Sequence, residues 1–316
     1  MEIGMFGLGR HPEKTEAEVS AEVAIELGFG GQSMVAPLKR VIVQPPAPPA
    51  DGEDWRRFGY RRAVDHGKAL EEHDAFCEVL SSQGVEVIRQ AADEPGRLDS
   101  IFVYDTSILT DEGAVLANPG KHLRQDEVAR AKVLYDELDV PTIGQIEGPS
   151  VLEGGDSFWV NASTLAVGVG YRTNSSGIAQ LQIFVQSFGI DVVPVSLPHW
   201  RGPEECLHLL SLISPVAERT AVIHSPLLST EFMQLLHGLE WTLIDIPDEE
   251  FATQATNVLT LAPNKVLILK ENVGTRKLLE DAGVEVLVYA GDEISHNRQG
   301  GPTCLTKPLL RDVSGI

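Results

Sequence analysis

The chain has 316 residues, of which 43% are hydrophobic, and it carries a formal net charge of −21. Apolar residues in this proportion can fill a sizeable core, whereas the excess of acidic residues repels phosphate backbones and anionic lipid surfaces. No segment approaches the roughly 18 apolar residues of a membrane span, and the N-terminus lacks a signal-peptide pattern. We therefore expect a globular, cytoplasmic protein that binds neither nucleic acid nor membranes; the sequence leaves its oligomeric state open and is compatible with a homo-oligomer.

The N-terminal region differs in pattern from the rest of the chain. An acidic helix is predicted over Glu13–Leu27, and the glycine-rich segment GFGGQSMVAP follows at residues 28–37. We interpret residues 1–35 as an N-terminal extension with a loop, and residues 36–316 as a single domain. The strand KRVIVQPP opens that domain, and the proline-rich segment after it is too short to be a domain linker.

A helix, a turn and a β-branched strand then recur five times. The repeats are ALEEHDAFCEVLSSQGVEVI, EVARAKVLYDELDVPTI, GIAQLQIFVQSFGIDVV, LSTEFMQLLHGLEWTLI and TRKLLEDAGVEVLV, and between them lie the strand candidates SIFVY, SFWVN, TLAVGV, TAVIHS and KVLILK. Units of about 50 residues cannot each bury an apolar face alone, so they should share one core. A closed α/β ring is the preferred prediction, and a doubly wound sheet is the alternative. No glycine-rich phosphate loop is present, so no nucleotide cofactor is expected.

Acidic residues accompany two of these strand candidates. Asp105 follows the apolar run SIFVY, and Glu153 and Asp156 flank two glycines in GPSVLEGGDSFWV. A strand end and a tight turn would each explain these acids in structural terms. Alternatively the carboxylates could hold a cation, because a carboxylate and a planar guanidinium pair through two hydrogen bonds.

The three cysteines form no CxxC pair, so neither a disulfide framework nor a zinc site is indicated. Cys77 lies at a core position of a predicted helix, and Cys206 is near His208 in sequence only, so both are interpreted as structural. Cys304 follows two glycines and a proline in GGPTCLTKP, where the backbone can turn sharply and present a nucleophile.

The remaining polar candidates are a histidine and two arginines. His208 lies among apolar residues in ECLHLLSLISPV, a context that suits a core histidine or a general base. Arg124 and Arg172 are either surface residues or a pair that clamps a carboxylate. The histidines lack metal-ligand spacing and the acids form no calcium loop, so no metal is expected.

Taken in order, the motifs YD, HLRQDE, EGGD, GYRTN, CLHL and GGPTC resemble those of the guanidine-modifying enzymes. This pentein family includes dimethylarginine dimethylaminohydrolases, arginine deiminases and amidinotransferases. The resemblance runs from about residue 36 to residue 310. It implies a five-bladed α/β propeller of five ββαβ units around a pseudo-fivefold axis, in agreement with the five repeats.

The resemblance also implies catalytic roles. Cys304 would attack the guanidinium carbon, and His208 would protonate the departing amine and later activate water. Asp105 and Glu153 would hold the guanidinium nitrogens. The implied reaction is hydrolysis of a guanidino C–N bond of arginine or an N-substituted arginine through a covalent thiouronium, which yields a ureido product such as citrulline and ammonia or an alkylamine. There are two alternatives: transfer of the amidino group to an amine, and a non-catalytic binding role.

Binding roles follow in the same way. Arg124 and Arg172 resemble the arginines that bind an α-carboxylate, Asn257 occupies the place of a site-lining asparagine, and Asp156 belongs to the EGGD turn. Residues 28–37 resemble a lid, which Gly28, Gly30 and Gly31 would allow to close. Two departures leave the substrate open. Tyr104 stands where dimethylarginine hydrolases often carry a second acid, and Leu210 stands where deiminases tend to carry one.

Overall fold

The computed structural model describes residues 28–203 and 205–314, so the predicted helix Glu13–Leu27 lies outside the described residues. No helix in these two ranges is both long enough and apolar enough to cross a membrane. The helices are α1 (His66–Ser82), α2 (Glu127–Glu137), α3 (Ser175–Val185), α4 (Thr230–Gly238) and α5 (Val273–Asp281). The strands are β1 (Leu38–Val43), β2 (Glu86–Arg89), β3 (Ser107–Thr110), β4 (Gly113–Leu116), β5 (Thr142–Gln145), β6 (Ser157–Asn161), β7 (Thr164–Val169), β8 (Asp191–Ser196), β9 (Ile213–Ala217), β10 (Thr220–Ile223), β11 (Thr242–Asp245), β12 (Leu259–Ala262), β13 (Lys265–Leu269), β14 (Glu285–Tyr289) and β15 (Lys307–Arg311).

The strands form five three-stranded sheets that share one topology. In each sheet an antiparallel pair is followed by a helix and by a third strand parallel to the central one, as in β3, β4 and β5 around α2. In the first unit β15 supplies the outer strand, because it pairs antiparallel with β1, which pairs parallel with β2. The C-terminal strand therefore completes the N-terminal unit. The predicted propeller of five ββαβ units is confirmed, and the doubly wound alternative is wrong.

The helices begin where the sequence supplies capping groups and are held by apolar contacts. The side chains of Asp65, Asn174 and Ser229 accept backbone N–H groups at the starts of α1, α3 and α4. Phe76 of α1 is fully buried in a cluster that also contains Leu267 of β13. Full burial of such a side chain contributes roughly 1.5–3 kcal/mol. Because these clusters combine side chains of more than one unit, the units stabilise one another.

The strand predicted at SIFVY is wrong. This segment forms two short 3₁₀ turns, Leu98–Ile101 and Val103–Thr106, and strand β3 begins only after them. Its carbonyl groups are bound by side chains instead of by a neighbouring strand: Phe102 accepts from Arg124, and Tyr104 accepts from Lys307. An apolar run without alternation fits a buried turn as well as a buried strand, and long-range contacts decide between them.

Residues 28–37, the predicted lid, lie against the C-terminal strand in this structure. The N–H of Gly30 donates to the carbonyl of Leu309 at 2.9 Å, and the N–H of Arg311 donates to the carbonyl of Gly30 at 3.0 Å. These contacts attach the segment to the C-terminal end of β15, whereas Cys304 precedes the N-terminal end of that strand. Gly28, Gly30 and Gly31 adopt positive φ, a backbone conformation that glycine reaches without steric strain.

Candidate active site

Each ββαβ unit contributes one polar side chain from the turn that precedes its first strand. Four of these five side chains line one small cavity of about 10 Å³. The fifth is hydrogen-bonded to one of the four. The five residues, in chain order before β3, β6, β9, β12 and β15, are Asp105, Glu153, His208, Asn257 and Cys304. The ring thus brings together residues that are up to 199 positions apart in sequence.

Glu153 and His208 form the innermost pair. Nε2 of His208 lies 2.7 Å from Oε2 of Glu153, and Glu153 is completely buried. The other carboxylate oxygen accepts the N–H of Gly120 at 3.1 Å and lies 3.5 Å from Nη1 of Arg172. Burial alone would raise the pKa of Glu153, but the hydrogen bond and charge of His208, together with Arg172, lower it. The ionised carboxylate therefore fixes the imidazole ring.

His208 is held in its protonated form. Burial would lower its pKa, but interactions with Cys206, Asp105 and Asp156 raise the pKa of His208 well above its usual value. Nδ1 lies 3.6 Å from the sulfur of Cys206 and 3.9 Å from Oδ1 of Asp105. An imidazolium at neutral pH is a proton donor, as a departing amine requires.

Asp105 is buried and ionised. Its Oδ1 accepts the N–H of Gly155 at 2.9 Å, and its Oδ2 accepts from Nη1 of Arg124 at 2.6 Å. Although burial would raise the pKa of Asp105, the positive charges of His208 and Arg124 lower it. A negative charge beside the cavity favours a cationic ligand.

Arg124 forms an ion pair with Asp105 in this structure. Besides Asp105, its guanidinium donates to the carboxylate of Glu127 and, at 2.7 Å, to the carbonyl of Phe102. Only 4% of Arg124 is exposed. The sequence prediction placed Arg124 on a substrate carboxylate, whereas here it positions Asp105, because the turn before α2 packs against the turn before β3.

Gly155 of the EGGD motif is required for steric reasons. A Cβ atom on Gly155 would lie 2.6 Å from Nδ1 of His208 and 2.8 Å from Oδ1 of Asp105. Contacts that short do not occur for real Cβ atoms, so no other residue fits between the two side chains without a shift. Glycine therefore permits the close approach of the acid and the histidine.

Cys304 is partly exposed and contacts Asn257. Nδ2 of Asn257 donates to the sulfur at 3.1 Å, and Oδ1 of Asn257 accepts the N–H of Thr303 at 3.0 Å. Burial of the sulfur and the charge of Asp105 raise the pKa of the Cys304 thiol to about 11. The thiol is therefore protonated at neutral pH in the absence of a ligand. From the sequence, Asn257 could either stabilise a turn or line the site. In the structure it contacts the turn at Thr303 and also lines the cavity.

Asp156 lies behind the site. Its Oδ1 accepts the N–H of Leu209 at 3.0 Å, and the residue is fully buried. Burial raises the pKa of Asp156 to about 6. It braces the turn that carries His208 and does not line the cavity, which corrects the expectation of a ligand contact.

Cys206 is the site neighbour that sequence reasoning missed. It was interpreted as near His208 in sequence only, yet its sulfur lies 3.6 Å from that ring. Burial would raise the pKa of Cys206, but the charges of His208 and Arg172 lower it. The spacing of two residues was the available signal, because side chains at i and i+2 of an extended segment face the same side. Cys77, by contrast, is buried in α1 as predicted.

The cluster suits a guanidinium. Asp105, Glu153 and His208 each offer a ligand atom within 4.8 Å of the others, a spacing that could also surround a metal ion. Arg124 and Arg172 already contact the two carboxylates, however, so little surplus negative charge remains for a divalent cation. A planar group with a single charge and directed N–H donors matches these oxygens better.

Comparison with known proteins identifies relatives in sequence and in fold. Residues 51–311 match the family model described as N,N dimethylarginine dimethylhydrolase, eukaryotic. A dimethylarginine dimethylaminohydrolase from Streptomyces coelicolor is 31% identical over 276 residues, which cover 86% of this chain and 98% of the relative. The structure of a cysteine-to-serine variant of the Pseudomonas aeruginosa dimethylarginine dimethylaminohydrolase, solved with citrulline, superposes with a TM-score of 0.70 at 22% identity. The match covers 85% of this chain and 98% of that one. An amidinotransferase from the saxitoxin pathway of Microseira wollei has a TM-score of 0.73 at 17% identity, covering 90% and 97%.

Proposed function

The chain belongs to the dimethylarginine dimethylaminohydrolase family of the guanidine-modifying superfamily, and on that basis we propose that it hydrolyses a guanidino C–N bond with Cys304 as nucleophile. One observation carries the proposal. The cavity that exposes the Cys304 sulfur is also lined by Asp105 and by His208, the partner of Glu153. The nucleophile, the proton donor and one carboxylate thus line one small cavity, and the second carboxylate, Glu153, contacts the proton donor from behind.

Binding of the guanidinium comes first. Asp105 and Glu153 supply the negative charge that attracts the planar cation, and Asp105, which lines the cavity, offers its oxygens to the N–H groups. Both carboxylates are held from behind, Asp105 by Arg124 and Glu153 by Gly120 and Arg172. Fixed acceptors hold the guanidinium carbon in one position relative to the sulfur, which lowers the entropic part of the barrier.

Arrival of the cation also activates the thiol. The pKa of Cys304 is about 11 without ligand, because burial and Asp105 disfavour a second negative charge. A guanidinium beside Asp105 cancels that repulsion and favours the thiolate, whose proton leaves to solvent because His208 is already protonated. The amide of Asn257, 3.1 Å from the sulfur, is placed to stabilise the same charge. Ionisation is therefore coupled to substrate binding.

The bond changes then balance with the groups present. The thiolate sulfur bonds to the guanidinium carbon, and protonated His208 gives its proton to the departing nitrogen as the C–N bond breaks. This leaves a thiouronium on Cys304, a free amine and a neutral imidazole. Water then attacks the same carbon while the imidazole takes a proton, and the C–S bond breaks to release a ureido product and the cysteine.

The experiment is a ureido-product assay over arginine, mono- and dimethylarginine, agmatine and simple guanidines. We expect turnover by the wild type, no detectable turnover by Cys304→Ser, and normal turnover by Cys77→Ser, the matched control for a buried cysteine outside the site. An amine acceptor added to the assay should leave ureido formation dominant. If guanidine transfer to the amine dominated, the amidinotransferase alternative would replace hydrolysis, and a folded protein without any turnover would support a binding role.

A further inference from the structure

A second small cavity lies on the axis of the propeller, next to the catalytic one. Tyr104 and Thr303 line both cavities. The volume of this axial cavity is about 50 Å³, and the first strand of every unit contributes to its wall, through Ile108, Ser157, Pro215, Thr260 and Lys307 among others. A space of this size has room for roughly three to five water molecules or for one small ion.

Two buried basic residues line the axial cavity. Lys307 is 5% exposed and Arg311 is 4% exposed. Their hydrogen bonds go to carbonyl groups: Nζ of Lys307 donates to Tyr104 and Ser107, and Nη1 of Arg311 donates to Ala36 at 2.6 Å. Among the described residues neither forms an ion pair, and no aspartate or glutamate lines the cavity. The cavity wall therefore carries positive charge without a paired negative charge.

The burial of these two cations opposes their ionisation. It lowers the pKa of Lys307 to about 7 and the pKa of Arg311 to about 10. The charge of Asp105 favours protonated Lys307, but the oxygens of Asp105 are bound by Gly155 and Arg124. A buried cation without a partner destabilises the folded state, and a negative charge in the same cavity would offset that effect.

Hydrogen-bond donors without a strong acceptor accompany the charges. Among the described residues, the hydroxyl of Tyr104 contacts only the sulfur of Met34, a weak acceptor, at 3.9 Å. A guanidinium has five N–H donors, yet within the described part of the chain only Nη1 of Arg311 has an acceptor. Nζ of Lys307 lies 4.8 Å from the centre of the Tyr104 ring, so these donors and cations are neighbours. Such a combination suits an anion and disfavours a cation or an apolar ligand.

A larger outer cavity gives a route to the axial one. Its volume is about 370 Å³, and it lies beside the β6–β7 and β9–β10 hairpins, at the end of the propeller opposite the catalytic turns. The residues that line both cavities are Ser33, Met34, Trp159 and Pro215. The outer cavity contains Asp111 and Glu218 as well as Arg219, so the unpaired positive charge is confined to the axial cavity. A small ion can pass between the two beside Met34, whose side chain is flexible.

We propose that the axial cavity binds one small monovalent anion, of the size of chloride or nitrate, through Lys307, Arg311 and the hydroxyl of Tyr104. A single negative charge is sufficient, because Asp105 already offsets part of the charge of Lys307. Lys307 also holds the carbonyl groups of Tyr104 and Ser107, on either side of Asp105, so the anion would stabilise the turn that carries this carboxylate. The proposal does not depend on hydrolysis at Cys304.

Thermal unfolding in different sodium salts at one ionic strength tests the site in solution. Chloride and nitrate are compared with an aromatic sulfonate, whose ring alone needs a cavity of roughly 150 Å³ and therefore cannot enter. Equal ionic strength keeps the screening of surface charges the same. An anion that binds only the folded state raises Tm, so we expect Tm to be about 1–4 °C higher in chloride or nitrate than in the sulfonate. Equal Tm values in all three salts would overturn the proposal.

Two variants separate the axial cavity from the protein surface. Arg311→Met keeps an unbranched side chain but removes the charge, so the difference in Tm between chloride and the sulfonate should vanish. Arg219→Ala is the matched control, because Arg219 is an exposed arginine of the outer cavity, and it should keep the full difference. A difference that persisted unchanged in Arg311→Met would arise at the surface and would contradict the proposal.

Bromide gives a readout that needs no variant, and it decides the question if Arg311→Met fails to fold. Crystals of the wild-type protein soaked in sodium bromide should show an anomalous-scattering peak inside the axial cavity, at hydrogen-bonding distance from Arg311 and from the hydroxyl of Tyr104. Bromide found only at lysines and arginines on the surface would overturn the proposal.

Discussion

The side-chain amide of Asn257 donates to the sulfur of Cys304 at 3.1 Å, while its oxygen accepts the N–H of Thr303 at 3.0 Å. One residue from the fifth unit thus fixes the turn that carries the nucleophile and faces the sulfur itself. The backbone of Gly301 also favours the thiolate of Cys304, whereas burial and the nearby Asp105 oppose its ionisation.

Asn257→Asp should impair chemistry more than binding. A carboxylate beside the sulfur repels the thiolate, so the pKa of Cys304 should rise and kcat should fall roughly 100-fold with a smaller change in KM. Asn257→Ala should cause a smaller loss, because it removes the donor without adding a charge. Steady-state kinetics over a range of pH would check both; equal effects of the two substitutions would contradict a role at the sulfur.

The cysteines should differ in their reaction with an alkylating agent. The pKa of Cys304 is about 11, whereas that of Cys206 lies below its usual value. Since the thiolate is the reactive form, alkylation of Cys304 should increase about tenfold per pH unit from about pH 7 to about pH 10, while Cys206 should level off at lower pH. Peptide mass spectrometry can follow each site, with buried Cys77 as the unreactive reference. A Cys304 rate that levels off below about pH 8 would contradict the protonated resting state.

Gly155→Ala should inactivate the protein. The new Cβ would meet His208 at 2.6 Å and Asp105 at 2.8 Å, which forces the acid and the histidine apart. We expect kcat/KM to fall more than roughly 100-fold and the free energy of unfolding to fall by about 1–3 kcal/mol. Gly238→Ala is the matched control, because a Cβ there meets nothing within 4 Å and lies in α4, where alanine should be neutral or stabilising. Normal activity of Gly155→Ala would show that the close contact is dispensable.

Glu153→Gln should destabilise the protein in a pH-dependent way. The folded-state pKa of Glu153 is lowered, so its contribution to stability is present above about pH 4.5 and is lost as pH falls through the lowered value. His208 has a raised pKa, so its contribution is present below about pH 6.5 and is lost as pH rises through that raised value. Between these limits, loss of the buried pair should cost about 3–5 kcal/mol.

Denaturant unfolding at several pH values would measure that difference. It should shrink as pH falls below about 4.5 and through the lowered pKa of Glu153, because the wild-type carboxylate becomes protonated as that pKa is passed. Glu147→Gln, at an exposed carboxylate, should show almost no effect at any pH. A difference that stayed constant from neutral to acid pH would mean that the pair contributes through packing alone.

The sequence was sufficient for the fold and for most of the residues that the structure brings together at the candidate site, for identifiable reasons. Helix periodicity and strand composition are local properties, so five repeats could be counted, and the EGGD and GGPTC turns mark Glu153 and Cys304. What it could not supply were contacts between distant residues. Arg124 contacts Asp105 rather than a ligand, SIFVY becomes turns because distant side chains bind its carbonyls, and Asp99 joins Lys121 to Arg298 across most of the chain.

Intact-mass spectrometry of an acid-quenched reaction tests the central claim most directly. Wild-type protein mixed with a turned-over guanidine should show an added mass equal to the substrate minus its departing amine, located on the Cys304 peptide, and Cys304→Ser should show none. The claim that this family member acts through a covalent thiouronium would be contradicted by ureido product formed at the wild-type rate in Cys304→Ser, or by an adduct located on Cys206 instead.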